Sequence, residues 1–190
     1  IKRILGIIAL FAVLPLIIFM MLVTALCIWV ESGGKVFFIQ NRVGQGGRQF
    51  RIIKFRSMSP VSHRSHSTFT KENDKRITKV GAFIRKYRLD EIPQVWNILK
   101  GEMSLIGPRP EQPAFVDDFN ATIPYFSYRH IVKPGLTGWA QVTQGYVADK
   151  ESSRDKLEYD LYYIKHQSFW LDLLIVFKTI KTVLTASGAR

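Results

Sequence analysis

Residues 4–30 read ILGIIALFAVLPLIIFMMLVTALCIWV, 27 consecutive positions without a charge. As a helix this run is roughly 40 Å long, enough to cross a hydrocarbon core of about 30 Å. A cleavable signal peptide fits poorly, because its apolar core spans only about 7 to 15 residues and no small-residue cleavage site follows Trp29. The flanks pose a topological problem. Lys2 and Arg3 precede the run, and the remainder carries 25 basic against 15 acidic residues, so the positive-inside tendency holds both ends in the cytoplasm. A straight span cannot satisfy that, whereas a helix broken near its middle enters and leaves by the same face. Pro15 stands almost central and removes one backbone donor there. Two readings are open on these residues: a re-entrant hairpin, or a kinked single span, since proline is tolerated in membrane helices.

Outward from the run, Glu31-Ser-Gly-Gly34 signals a turn. Val36 to Gln40 and Phe50 to Phe55, separated by the glycine-rich Val43-Gly-Gln-Gly-Gly47, read as a β-hairpin. Residues 59–73 are rich in serine and threonine and read as a loop; His63 and His66 there lack a nearby third ligand for a metal. Residues 79–87 and 90–100 have helical spacing, the second ending at Gly101. Gly107-Pro-Arg-Pro110 and Lys133-Pro-Gly-Leu-Thr-Gly138 read as rigid loops of close backbone approach. Ser168 caps a helix from Phe169 to about Thr185, whose Phe169, Trp170, Leu173, Leu174, Phe177, Ile180 and Leu184 form an apolar stripe flanked by lysines. Such a helix fits a membrane interface or the domain core equally well. The lone Cys27 excludes a disulfide framework and a cysteine zinc module. At 190 residues the chain has room for one core.

Lys+Arg 27 against Asp+Glu 15 gives +12, which calls for a phosphate-rich partner: nucleic acid, anionic lipid or nucleotide. Of that excess, +10 lies between Arg42 and Arg109. Within it, Arg85-Lys-Tyr-Arg-Leu-Asp-Glu-Ile-Pro93 sets two adjacent carboxylates behind three cations. Pro93 is tolerable only in a helix's first turn, so a helix is expected to begin near Asp90. Its positive end, with Arg85, Lys86 and Arg88, favours ionised Asp90 and would also hold a phosphate. An ionised carboxylate beside a phosphate can attack phosphorus, while Glu91 can hold Mg²⁺. The alternative is that Asp90 merely caps the helix and Glu91 is a favourable first-turn charge.

Taken in order, Lys54-Phe-Arg-Ser-Met58, Asn73-Asp-Lys-Arg-Ile-Thr78, Leu89-Asp-Glu-Ile-Pro-Gln94, Met103-Ser-Leu-Ile-Gly-Pro-Arg-Pro110, Lys133-Pro-Gly-Leu-Thr-Gly-Trp-Ala-Gln141 and Tyr159-Asp-Leu-Tyr-Tyr-Ile-Lys165 resemble the bacterial sugar transferase family, the monotopic phosphoglycosyl transferases. The resemblance runs from Lys2 to Arg190. It implies an enzyme that moves a sugar 1-phosphate from a UDP-sugar to a polyprenol phosphate such as undecaprenyl phosphate and releases UMP, at the start of exopolysaccharide, capsule or O-antigen synthesis. Glucose or galactose is the sugar the C-terminal motifs suggest. By the same resemblance Asp90 takes the phosphosugar covalently and Glu91 assists a required Mg²⁺. Lys54, Arg56, Arg88, Arg109 and Arg129 are then candidates for binding the diphosphate, the uridine or the lipid phosphate.

The resemblance also favours the re-entrant hairpin over the single span. The expected fold is therefore α+β and mostly helical: residues 1–32 form a re-entrant membrane-anchoring helix, and residues 33–190 a cytoplasmic catalytic domain with a small β-hairpin and interfacial amphipathic helices. The expected location is the cytoplasmic face of a bacterial inner membrane, with membrane lipid as a partner and self-association as a homo-oligomer compatible with it. Nucleic acid is not an expected partner, because a nucleic-acid-binding module leaves the uncharged run and the carboxylate pair without a purpose. A non-catalytic membrane-surface scaffold explains the basic face but not the motifs. Two positions depart from the family's habit. Gly6 stands where an aspartate commonly follows the opening Lys-Arg, and Ser59-Pro-Val-Ser-His-Arg64 replaces a more acidic loop. Ile1 in place of methionine suggests the catalytic part of a larger family member with further N-terminal membrane helices.

Overall fold

The uncharged run forms one helix, α1 (Lys2–Ser32), with Pro15 inside it, in a computed structural model that describes residues 2–59, 74, 76–144 and 150–185. Helical structure continues through Pro15 rather than ending there. One side of α1 packs along the rest of the chain on both sides of the proline. Leu10 joins Ile52, Val95, Ile98 and Met103 in one apolar cluster, and Ile28 joins Phe55 and Ile84 in another. Gly6 lies against Leu105, from whose side chain an added Cβ would sit 3.4 Å. The opposite side, with Leu16, Phe19, Leu22, Leu26, Trp29 and Val30, is exposed. Residues Val13–Ser32 are long and apolar enough to cross a membrane. Uncovered apolar surface of this extent marks contact with lipid or protein.

The hairpin expected on both sides of the glycines is present and longer than the sequence suggests. Strands β1 (Phe37–Val43) and β2 (Gln49–Phe55) pair antiparallel from Phe37–Phe55 to Val43–Gln49. Gly46, at φ 66, takes the left-handed conformation the connection needs. Helix α2 (Lys79–Lys86) starts at Thr78, whose hydroxyl accepts from the Gly81 amide. The segment expected as a helix from Asp90 divides into a 3₁₀ turn, Leu89–Gln94, and a short helix α3 (Val95–Lys100) closed by Gly101 at φ 82. Asn97 on α3, 0% exposed, completes the open edge of β2: its amide donates to Arg51 O and Glu102, and its carbonyl accepts from the Ile53 amide. Asn97→Ala strands those groups in the interior, so a loss of about 3 kcal/mol is expected. A thermal melt reads this, and an unchanged midpoint would contradict the contact's importance.

An unforeseen parallel pair joins the two close-approach segments: β3 (Ser104–Ile106) runs directly into Gly107, and β4 (Gly135–Thr137) lies within Lys133–Gly138. Their glycines interlock: a Cβ on Gly107 would lie 2.4 Å from Lys133 O, and one on Gly138 2.2 Å from Gly107 O. Helix α4 (Pro113–Thr122) follows, then a 3₁₀ turn at Phe126–Ile131, helix α5 (Trp139–Thr143) and helix α6 (Lys150–Lys165).

The last helix, α7 (Phe169–Leu184), is capped by Ser168, whose hydroxyl accepts from the Leu171 amide. Its wholly buried residue is Ile175, while Phe169, Trp170, Leu174, Phe177, Ile180 and Leu184 are exposed, Trp170 at 75%. Most of the apolar stripe therefore faces outward, as an interfacial helix requires. His63 and His66 lie outside the described residues.

Candidate active site

Asp90 and Glu91 sit on the 3₁₀ turn between α2 and α3. The entry is abrupt. Arg88 adopts a left-handed backbone at φ 55, uncommon for a side chain of its size, and the Glu91 amide donates to its carbonyl at 3.2 Å. Strand β2 packs under this turn. Phe50, Ile52 and Lys54 share one strand face, and Phe50 and Ile52 pack with Val95 and Ile98 of α3. Lys54 is thereby brought to the carboxylates, its Nζ donating to Glu91 Oε1 at 2.9 Å.

The second cation arrives from the loop after β3. Gly107 N donates to Thr137 O and Gly135 N to Pro108 O, both at 2.9 Å, which ties this loop to β4. From it Arg109 sends a fork to Glu91: Nη2 to Oε1 at 2.6 Å and Nη1 to Oε2 at 3.4 Å. Charge-assisted bonds of this kind are about twice as strong as neutral ones. Glu91 is 7% exposed. Burial alone would raise its carboxyl, but Arg109 and Lys54 overcome that and hold it well below the usual carboxylate range. Burial lowers the Lys54 ammonium, with Glu91 opposing the shift.

Asp90 differs from the expectation of a carboxylate favoured by a helix end. Burial raises its carboxyl to about 6, and the charge of Glu91 adds to the rise, while Lys54, Arg85 and Arg109 pull the other way. At neutral pH most of it is still ionised, but in a site that disfavours its charge. Of the three cations expected beside it, Arg85 acts on it, whereas Lys86 lies over the Tyr87 ring at 5.7 Å.

The other basic residues singled out in the sequence are placed apart. Arg56 bonds Ser32 Oγ at 2.6 Å and Gly33 O, fastening the end of α1 to β2. Arg129 is 3% exposed and bonds Asp160 and the Arg109 carbonyl. Sequence reasoning passed over its partners Asp160 and Glu111, and Lys156, which pairs with Glu111. A signal for two of them exists: Lys156 and Asp160 are four apart on α6 and share a face. A cleft of about 490 Å³ is lined by Trp139, Gln144, Asp155, Glu158, Tyr159 and Tyr162; neither member of the carboxylate pair lines it.

Among the described residues no three acidic, histidine or cysteine side chains gather round a point, and the carboxylate pair by itself would supply only part of a metal's shell. Mg²⁺ commonly takes one or two carboxylates and completes its octahedron from substrate phosphates and water. The dyad fits that role. Among the described residues Glu91 Oε2 accepts a long 3.4 Å bond from Arg109, and Asp90 stands next to it.

The chain belongs to the bacterial sugar transferase family, which its residues 1–186 match. It is 57% identical over 190 residues to the UDP-N-acetylgalactosamine-undecaprenyl-phosphate N-acetylgalactosaminephosphotransferase of Aeromonas hydrophila, covering all of this chain and 45% of that protein. It is 42% identical over 187 residues to the UDP-glucose:undecaprenyl-phosphate glucose-1-phosphate transferase of Xanthomonas campestris pv. campestris, 96% of this chain and 37% of that one. A protein of the same name from Caulobacter vibrioides is 38% identical over 190 residues, 99% of this chain and 71% of that protein. The chain thus spans less than half the length of the first two.

Proposed function

We propose that this chain transfers a sugar 1-phosphate from a UDP-sugar to undecaprenyl phosphate, with Asp90 as nucleophile. The observation that carries the reading is the convergence of Lys54 and Arg109 on Glu91 beside a half-buried Asp90: a carboxylate able to attack, held next to cations able to take up phosphoryl charge. An Asp90 carboxylate oxygen bonds to the β-phosphorus, which bears the sugar, and the bond from that phosphorus to the bridging oxygen breaks, so UMP leaves with the electron pair. An oxygen of undecaprenyl phosphate then attacks the same phosphorus and expels Asp90 as carboxylate, giving the sugar-diphospho-lipid. Lys54 and Arg109 orient Glu91 and stabilise charge on the diphosphate, with Arg88 at the turn's entry a further contact for it. Glu91 would hold Mg²⁺, which neutralises charge on the diphosphate when bound.

The identity to a transferase named for UDP-N-acetylgalactosamine makes that the first donor to test, ahead of the glucose or galactose suggested by the motifs. With UDP-N-acetylgalactosamine, UDP-glucose and UDP-galactose offered in turn, UMP should accumulate catalytically only when undecaprenyl phosphate is present. No acceptor-dependent UMP from any of the three would contradict the proposal.

The outward apolar faces of α1 and α7 support a seat in the cytoplasmic face of the inner membrane. Packing of α1 on the domain at both Leu10 and Ile28 supports re-entry rather than crossing, because a helix that crossed would carry one end away from the domain. A cysteine placed beside Lys2 should react with impermeant reagent only from the cytoplasmic side; labelling from the periplasm alone would overturn the topology.

A further inference from the structure

The loop that carries Arg109 is gripped from beneath by three donors on three consecutive carbonyls. Arg129 Nη2 donates to Arg109 O at 2.8 Å, Arg42 Nη1 to Pro110 O at 3.2 Å, and the Val43 amide to Glu111 O at 2.9 Å. Prolines at 108 and 110 have no N–H, so the loop's backbone offers mainly acceptors. Of the three donors, Arg129 is set most deeply. It belongs to the 3₁₀ turn Phe126–Ile131, its guanidinium carbon stands 5.0 Å from the Phe126 ring centre, and the nitrogen that holds Arg109 O also donates to Asp160 Oδ2 at 2.7 Å. Glu111 lies 3.8 Å from its other terminal nitrogen and accepts from Lys156.

A buried ion pair of this sort is weak evidence of stabilisation, since well-packed apolar side chains often serve as well. What apolar groups cannot do is aim a donor at one carbonyl. We propose that Arg129 is a positioning residue: through the Arg109 carbonyl, and with Asp160 fixing its guanidinium, it sets the place from which Arg109 engages Glu91. This rests on the reading of Asp90 and Glu91 as the reacting pair, and it replaces the expectation that Arg129 contacts substrate. The same line of force runs from α6 (Asp160) to the 3₁₀ turn (Arg129), to the loop (Arg109) and to the dyad turn (Glu91). A displacement of about 1 Å at its end is enough to cost about 100-fold in rate.

The test is a double-mutant cycle on the full chain in nanodiscs. Arg129→Lys, which keeps the charge but shortens the reach, should lower the rate of acceptor-dependent UMP release at least about 10-fold, with its melting midpoint close to the unmodified value. In an Arg109→Lys background, where the guanidinium on Glu91 is already gone, the same change should cost less than about 2-fold. Asp160→Asn should repeat the pattern and serves if Arg129→Lys fails to fold. Equal losses in both backgrounds, no loss, or a loss that tracks the melting midpoint would overturn the proposal.

A readout that needs no turnover separates this from the reading beneath it. In enzyme labelled with ¹⁵N-arginine, the Arg109 guanidinium should rotate slowly in the unmodified protein and freely in Arg129→Lys. Unmodified enzyme that released no UMP would sink the reading. Unchanged Arg109 rotation would sink the positioning role.

Discussion

Asp90→Asn is expected to lose turnover by several orders of magnitude while keeping the fold. Amide nitrogen is a poor nucleophile, and the amide's oxygen cannot form the acyl phosphate. The structure says why the fold should survive. Asp90 is only half-buried, and its carboxyl is raised to about 6 by burial and by Glu91. A carboxyl whose folded value exceeds its unfolded one of 3.8 costs increasing stability as pH rises from there, and the cost is complete above about pH 6. A neutral amide of the same size removes that cost, so the melting midpoint at neutral pH should hold or rise. A dead enzyme that melts no lower would locate the defect in chemistry. Near-normal turnover would move Asp90 to the role of base or metal ligand, with the lipid phosphate attacking the nucleotide sugar directly.

Excess EDTA should abolish turnover, and Glu91→Gln should reduce it by at least about 100-fold and weaken its dependence on added Mg²⁺. Glu91→Gln differs from the Asp90 change in its structural consequence. It leaves Lys54 and Arg109 facing each other without the carboxylate that both now hold, and an uncompensated buried charge costs about 3 to 5 kcal/mol. A fall in melting midpoint should therefore accompany the loss of activity, and the metal titration is the readout that separates the two. The remote carboxylates make useful controls. Asp74 pairs with Arg76 at 2.5 Å and Asp172 accepts from the Tyr163 hydroxyl at 2.8 Å, so neutralising either should leave metal dependence unchanged. Full activity in excess EDTA would remove the metal from the mechanism.

Much of this arrangement was legible before the fold was known, because its signals are local. Apolar runs split by Val43-Gly-Gln-Gly-Gly47 mark the hairpin, Ser168 is a cap residue at the position where α7 begins, and Gly101 closes α3 with a left-handed φ. The parallel pair β3–β4 was not legible, since three-residue strands are too short to show alternation and the partners lie about thirty residues apart. Pro93 fits the first turn of an α-helix and so points to a helix start at Asp90, yet a 3₁₀ turn accommodates it as well.

The misjudged electrostatics of Asp90 have one cause. Sequence shows which cations are near along the chain but not how deeply a carboxyl is buried, and here burial is the larger effect. Convergence from a distance is equally hidden: Lys54 and Arg109 reach Glu91 across 37 and 18 residues. The same holds for Arg129, whose burial and bond to Asp160 no local signal shows.

The central claim is that the phosphosugar passes through a covalent bond to Asp90, and one measurement addresses it without inference from rates. Enzyme incubated with Mg²⁺ and labelled UDP-sugar, in the absence of undecaprenyl phosphate, should release up to one equivalent of UMP and retain the label as an acyl phosphate on the peptide containing Asp90. Adding undecaprenyl phosphate should then discharge that label to the lipid. A label that maps to another residue, or UMP release that begins only when the acceptor is added and leaves no labelled protein, would contradict the account.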